Sequence, residues 1–203
     1  KMLALRKAKD FKERLKIVAS FRPADFKPEL PAVVEPRTRL SMGEHCEKMV
    51  QEWHISRKEQ DELALMSHQR GVAAIEEGFY DDLVFEFMGL KRDTTPRKDT
   101  SLEKLAKLKT VFDTTEKGTL TAGNSSPLSD GAAAVFLVCE EYAKEFDSPL
   151  LARFVDAQVA AVDFVHGEGL LMAPTIAVSE LLKRHHLSLQ DFDFYEIHEA
   201  FSG

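Results

Sequence analysis

The residues best suited to chemistry lie in one stretch, residues 118–138, with the sequence Gly-Thr-Leu-Thr-Ala-Gly-Asn-Ser-Ser-Pro-Leu-Ser-Asp-Gly-Ala-Ala-Ala-Val-Phe-Leu-Val. Two β-prone pieces, residues 119–121 and 135–138, flank a loop of small residues and turn formers. Small residues and hydroxyls let a polar ligand approach the backbone closely. The stretch therefore predicts a ligand-facing loop on a rigid base, while its spacing alone fits a surface turn before a buried strand equally well.

The two cysteines are the candidate thiol nucleophiles. A catalytic thiolate needs a lowered pKa, supplied by a helix N-terminus or an adjacent base. Cys46 is followed by Glu47, and an acidic neighbour raises a thiol pKa. Cys139 follows an apolar run and precedes two glutamates. We therefore interpret both cysteines as structural.

A serine hydrolase is an alternative. Residues 123–127, Gly-Asn-Ser-Ser-Pro, approach the Gly-x-Ser-x-Gly motif. Asp193 and His198 follow Ser125 in the chain order used by α/β-hydrolases. Pro127 weakens this hypothesis, because the motif needs a small residue at a strained strand-to-helix turn. A non-catalytic scaffold is a third class, since the chain shows no activated nucleophile.

Composition narrows the class of protein. The chain has 203 residues, 44% of them apolar, which is enough for one domain or two small ones with a real core. A formal charge of −7 argues against a general nucleic-acid binder, and no stretch approaches the roughly 18 apolar residues of a membrane span. The two cysteines are far apart, which predicts no disulfide scaffold, no zinc site and a reducing compartment rather than secretion.

The first 22 residues are strongly basic, with eight lysines and arginines against two acidic residues. Apolar residues recur here at three- and four-residue intervals, which predicts one basic amphipathic helix over residues 1–22. Such a helix binds an anionic membrane surface or an acidic partner, or packs on its own domain. The apolar positions are Ala4, Ala8, Phe11, Leu15 and Val18.

The rest of the chain predicts helices first and an alternating α/β region later. Four prolines predict an extended connector over residues 21–39. Capping boxes at residues 56–59 and 100–103 predict two helices, the first ending at Gly78. Further helices are predicted at residues 143–146 and 174–185. Strands are predicted at residues 135–138, 150–162 and 192–197, which gives a βαβαβ order.

Four separated groups of residues resemble thiolases and occur in that family's order. They are Ser-Met-Gly at 41–43 with Ser-Arg-Lys-Glu-Gln-Asp-Glu-Leu-Ala at 56–64 and Ser-His at 67–68, Leu-Ala-Lys-Leu-Lys at 105–109 with Phe112, Pro174 with the helix after it, and His-Glu-Ala-Phe at 198–201. Ala173 departs from the family, which usually has a glycine there. The stretch 118–138 resembles the family's coenzyme-A-contacting segment. The His-Glu-Ala-Phe form, with the basic N-terminal segment, resembles the branch of trifunctional-protein β-subunits and their bacterial relatives. An upstream nucleophilic cysteine and downstream Gly-His-Pro and Cys-x-Gly-Gly-Gly motifs are missing from this sequence, so the resemblance implies a fragment of a chain about twice as long.

The resemblance implies a fold and a division into domains. The expected fold is α/β, a thiolase-like layered α-β-α fold with a mixed sheet that is incomplete in this chain, plus a helical loop domain. Residues 1–115 are expected to form the loop domain with its basic N-terminal helix. Residues 116–203 are expected to form the first part of the C-terminal α/β domain.

The resemblance also assigns residues to a coenzyme A site. Arg97 stands where the family has a phosphate-contacting arginine, and a guanidinium can pair phosphate oxygens bidentately. His198 stands where most thiolases have an asparagine that helps hold the thioester oxyanion, although a structural histidine at a strand end is the alternative. The pantetheine arm and acyl end are expected to contact Met42, Phe112, Ala122, Ser126, Ala200 and Phe201.

The implied activity is that of a 3-ketoacyl-CoA thiolase, an acetyl-CoA C-acyltransferase of fatty-acid β-oxidation, with coenzyme A and acyl-CoA as substrates and no metal or covalently bound cofactor. The fragment alone is expected to be inactive. The resemblance implies a homodimer, with a hydratase/dehydrogenase α-subunit as a further partner. It implies a cytoplasmic location if the protein is bacterial and a mitochondrial one if it is eukaryotic. Fluorophosphonate labelling would identify a hydrolase, and coenzyme A binding would separate a thiolase from a scaffold.

Overall fold

The computed structural model of the chain describes residues 2–26, 32–145 and 152–203, and the chain divides into two compact units, residues 1–33 and 34–203. Pro28 and Pro31 of the predicted connector, Phe146 of a predicted helix and the first two residues of the predicted strand 150–162 lie outside the described residues. In the described part, no helix is both long and apolar enough to span a membrane.

In its described residues, the first unit contains two short α-helices rather than the single predicted one. They are α1 (Met2–Lys7) and α2 (Phe11–Ala19), followed by a 3₁₀ helix (Pro23–Phe26). Asp10 separates the two, because its backbone is extended and its carboxylate accepts the N–H of Glu13 at 2.7 Å as an N-cap. The expectation of an extended connector is also wrong at residues 23–26, since the fixed φ of a proline suits the first position of a helical turn.

The second unit contains five α-helices within its described residues. They are α3 (Met42–Glu52), α4 (Arg57–Glu76), α5 (Leu102–Ala106), α6 (Glu140–Ala143) and α7 (Ala173–His185), with 3₁₀ helices at Leu170–Met172 and Leu189–Asp191.

Three of these helices test the capping signals. The box at Ser56 and Glu59 is confirmed, and α4 ends just before Gly78, which has φ +75°. At α5 the cap is Ser101, whose hydroxyl accepts the N–H of Lys104, and not the residue before it. Helix α3 was not predicted, although Ser41 and the glutamate three residues later form a complete capping box.

The predicted strands do not form among the described residues. The β-structure there consists of isolated bridges, joining Val34 to Ser41, Phe87 to Leu90, Thr110 to Thr121 and Ser125 to Phe201. The segments predicted as strands keep their apolar side chains exposed, as at Val135 (80%) and Val159 (87%). A strand is stabilised by the neighbours that pair with it, and in the described part of the chain these segments lack a ladder partner.

The core joins α3 to the loop that was singled out in the sequence. Cys46 and Val50 on α3 are buried against Leu120, at the start of that loop. Phe112 and Phe201 also pack against this cluster. The core therefore anchors the start of the loop to α3.

Candidate functional site

A cleft of about 750 Å³ lies between residues 94–112 and the loop at residues 121–127. Its lining includes four polar or charged residues, His68, Arg97, Asp99 and Lys104, and four apolar residues, Leu105, Leu108, Val111 and Phe112. A groove with cations and a longer apolar surface suits a ligand that has both an anionic and an aliphatic part.

Four of the residues expected to bind coenzyme A line this cleft. They are Arg97, Phe112, Ala122 and Ser126. They come from two segments that are separated in the sequence by α5 and the following turn, and both segments contribute to the cleft lining.

The other expected residues do not line the cleft, and two of them contact residues that do. The ring of Phe201 meets that of Phe112 edge to face, with centroids 5.6 Å apart. The carbonyl of Ala200 accepts the N–H of Ser126 at 2.8 Å. Met42 is half exposed at the start of α3, and a Cβ on the next residue, a glycine, would lie 2.2 Å from the ring of Phe112.

A buried glutamate on α3 fixes the start of the loop, at residues 119–120. Glu47 on α3 is 2% exposed, and one of its carboxylate oxygens accepts both the N–H and the hydroxyl of Thr119, each at 2.8 Å. The other oxygen accepts the N–H of Leu120 at 2.9 Å. The buried carboxylate thus satisfies backbone groups that would otherwise be left without a partner.

Arg97 forms no ion pair, unlike the nearby Lys98 and Lys104, among the described residues. Lys98 pairs with Glu76 at 2.6 Å and Lys104 pairs with Asp99 at 3.0 Å. The guanidinium of Arg97 makes no ion pair with any carboxylate that the structure describes. It lines the cleft, so it is available to an anionic ligand.

His68 on α4 holds the backbone beside this guanidinium. Its Nδ1 accepts the N–H of Arg97 at 3.3 Å. Burial, and then the positive charge of Arg97, lowers the pKa of His68. The neutral imidazole that this favours is the form that can accept the hydrogen bond.

His68 and Lys104 line the cleft but were not predicted from the sequence, whereas Ser125 was predicted both as part of a ligand-facing loop and as a possible nucleophile. The Ser125 hydroxyl is buried, lines the cleft and has no hydrogen-bond partner among the described residues. A buried hydroxyl without a partner is uncommon, and this one belongs to a residue of the cleft lining. The available sequence signal for Lys104 was its place three residues after the helix cap Ser101, because the cap fixes where on the helix the side chain of Lys104 begins.

The hydrolase triad is not assembled. Asp193 and His198 are both exposed, and no hydrogen bond among the described residues joins either of them to Ser125. Ser125 pairs with Phe201 in an isolated bridge instead of standing on a strand-to-helix elbow. His198 likewise lies outside the cleft lining.

The cysteines do not supply an activated thiolate. Cys46 is buried, and burial together with the charge of Glu47 raises its pKa to about 11. Cys139 is exposed, which corrects its placement after a buried run. Among the described residues, no cluster of three or more His, Cys, Asp or Glu side chains could hold a metal ion.

Comparison with known proteins identifies the family. The model of the thiolase N-terminal domain matches residues 15–141, and that of the thiolase C-terminal domain matches residues 148–203. The mitochondrial trifunctional enzyme subunit beta of Bos taurus is 41% identical over 207 aligned residues, covering all of this chain and 42% of its own length. The 3-ketoacyl-CoA thiolase of Yersinia enterocolitica is 35% identical, covering all of this chain and 47% of its own length.

Solved structures support the same family. The human mitochondrial 3-ketoacyl-CoA thiolase in complex with CoA matches with a TM-score of 0.74 and 33% identity, over 89% of this chain and 48% of that one. The dimeric peroxisomal thiolase of Saccharomyces cerevisiae matches with a TM-score of 0.70 and 34% identity, over 80% of this chain and 42% of that one. The chain therefore spans about half the length of these relatives.

Proposed function

Since the chain belongs to the thiolase family and has its α/β fold, we propose that it forms the coenzyme-A-binding part of a 3-ketoacyl-CoA thiolase, an acetyl-CoA C-acyltransferase of fatty-acid β-oxidation. The observation that carries this proposal is the cleft, in which Arg97, Phe112, Ala122 and Ser126 meet. A related thiolase has been solved with CoA bound.

The lining of the cleft matches the chemistry of coenzyme A. Its phosphates need a cation, and Arg97 is a guanidinium without an acidic partner among the described residues. The pantetheine arm needs a channel with few polar groups, which Leu105, Leu108 and Phe112 provide. The hydroxyls of Ser125 and Ser126 are the polar groups that could fix the arm's amides.

Thiolysis requires groups that this chain does not provide. A cysteine thiolate takes the acyl group of the 3-ketoacyl-CoA as acetyl-CoA leaves, and the acyl group then passes to the sulfur of coenzyme A. With a pKa of about 11, Cys46 is almost wholly protonated at neutral pH. We therefore place the nucleophilic cysteine, and the Gly-His-Pro and Cys-x-Gly-Gly-Gly motifs, in parts of a longer polypeptide.

The proposal extends to the residues and assemblies implied by the family resemblance. His198 is proposed to hold the thioester oxyanion, alone or through a water, and Met42, Ala200 and Phe201 to flank the acyl end. A boundary between loop domain and C-terminal domain near residue 115 stays a prediction. The yeast relative is a dimer, which supports a homodimer here.

Partners and location follow from the relatives in the same way. The Bos taurus relative is a subunit of the mitochondrial trifunctional enzyme, which supports an α-subunit partner and a mitochondrial location. The Yersinia relative supports the bacterial alternative. Contact of residues 1–22 with a membrane surface stays a prediction.

The test is coenzyme A binding to the full-length gene product, measured by isothermal titration calorimetry. Arg97→Ala should raise Kd about 10- to 100-fold, because a charge-assisted hydrogen-bonded pair contributes about 1.5–3 kcal/mol. Arg92→Ala is the matched control, because Arg92 is an exposed cation of the same surface segment outside the cleft lining. An Arg97→Ala protein with the wild-type Kd would refute the placement of the phosphates.

A further inference from the structure

The ion pair of Arg57 and Asp61, at the start of α4, lies behind the cleft and is bonded to both of its walls. Neither side chain belongs to the cleft lining. The two are one helical turn apart, with Arg57 Nε 2.8 Å from Asp61 Oδ2. We propose that these two residues position the walls of the cleft for coenzyme A. This proposal rests on the proposed function. Arg57 and Asp61 are positioning residues, which act on coenzyme A binding through the residues that line the cleft.

The first wall is held by Arg57. Its second guanidinium arm donates to the carbonyl of Leu105 at 2.5 Å and to that of Leu108 at 3.3 Å. Both leucines line the cleft. Leu105 lies in the last turn of the short helix α5, and Leu108 follows that helix, its N–H donating to the carbonyl of Leu105 at 3.0 Å. Arg57 therefore fixes the end of the helix that forms the apolar wall.

The second wall is held by Asp61. Its Oδ1 accepts the side-chain N–H of Asn124 at 3.0 Å, and Asn124 Oδ1 accepts the N–H of Thr121 at 2.7 Å. Asn124 stands between Gly123 and Ser125, which both line the cleft. The carboxylate of Asp61 thus sets the position of the loop that carries the expected ligand contacts.

Burial makes this connection specific for a carboxylate. Asp61 is 3% exposed and Asn124 is 2% exposed, so water cannot replace a lost partner. One oxygen of Asp61 accepts from Arg57 and the other from Asn124, which a carboxylate can do because both of its oxygens are acceptors. An amide at position 61 would place an N–H against one of these donors. The loop or the end of α5 would then have to move.

The first test is Asp61→Asn in the full-length protein, with coenzyme A as the probe. We expect Kd for coenzyme A, and KM in thiolysis, to rise about tenfold, the change that corresponds to roughly one net hydrogen bond. We expect kcat to change much less, because the change lies in the binding cleft. Restoring a carboxylate–amide pair in the double variant Asp61→Asn/Asn124→Asp should recover part of the affinity.

Two further variants separate positioning from simple loss of stability. Arg57→Lys keeps a cation beside Asp61 and loses the forked contact to the two carbonyls, so it should fold and still raise Kd. Ala73→Gly is the matched control, because Ala73 is an exposed residue of the same helix outside the cleft lining, and glycine there costs about 1 kcal/mol of helix stability. It should lower Tm and leave Kd unchanged.

The outcomes distinguish this proposal from the proposed function. If Asp61→Asn and Arg57→Lys lower Tm as Ala73→Gly does but keep the wild-type Kd, the residues are structural only and the inference is wrong. If the wild type does not bind coenzyme A, or Arg97→Ala binds it unchanged, the proposed function itself fails. Raised Kd in both variants, with Arg97→Ala weaker than wild type, supports both.

Discussion

Replacing Glu47 by glutamine tests the claim that a buried carboxylate fixes residues 119–120, where the loop that lines the cleft begins. In Glu47→Gln one oxygen keeps the two bonds from Thr119, while the new amide N–H₂ faces the N–H of Leu120 across 2.9 Å. A hydrogen bond to a charged group contributes about 1.5–3 kcal/mol, and a buried donor without a partner costs about 1–3 kcal/mol. Leu120 is fully buried, so both terms apply, and we expect a loss of about 3–5 kcal/mol.

The assay is urea unfolding of the full-length protein, with Glu52→Gln as the control. Glu52 is the last residue of the same helix and is exposed, so its replacement should change the free energy of unfolding by less than about 0.5 kcal/mol. A Glu47→Gln protein that loses less than about 1 kcal/mol, with an unchanged denaturant slope, would refute the reasoning. In that case the loop is held by the remaining apolar contacts alone.

Three further changes test other parts of the structure. Cys46 should react with a maleimide far more slowly than Cys139, and equal labelling rates would contradict this. Because the folded pKa of Cys46, about 11, exceeds the reference value of 9.0, the stability linked to its proton should be lost as pH rises from about 9 through 11. This pH dependence should be absent in Cys46→Ala. Gly43→Ala brings a Cβ to 2.2–2.4 Å from the ring of Phe112, so Tm should fall by an amount equivalent to about 1–3 kcal/mol, and an unchanged Tm would show that the ring moves freely. His198→Ala should lower kcat about 10²- to 10³-fold with little change in KM, and His198→Asn should recover much of it, whereas full activity in a stably folded His198→Ala protein would remove this residue from the mechanism.

Local signals in the sequence predicted the features that depend on neighbouring residues. The helix that begins after Ser56 was predictable because its capping box involves residues three positions apart. The same logic applied to Ser41 would have found α3. The break at Asp10 was missed because the apolar period runs through it, while the side chain of Asp10 caps a new helix.

Features that join distant segments were not predictable from these patterns. Asp61 and Asn124 are 63 positions apart, and neither one alone indicates the other. The predicted strand at residues 135–138 needed partners that the described residues do not supply, since β-pairing is decided by the whole sheet. Arg97 and Ser126 were proposed as ligand residues from the resemblance alone, and both belong to the lining of one cleft.

The most direct test of the central claim is the KM for coenzyme A in thiolysis of a 3-ketoacyl-CoA, measured for full-length wild-type and Arg97→Ala proteins. A phosphate contact is the same in the ground state and the transition state, so its loss raises KM and leaves kcat nearly unchanged. We predict this pattern, with a rise in KM of about 10- to 100-fold. An unchanged KM, or a wild-type protein that does not catalyse thiolysis, would contradict the account.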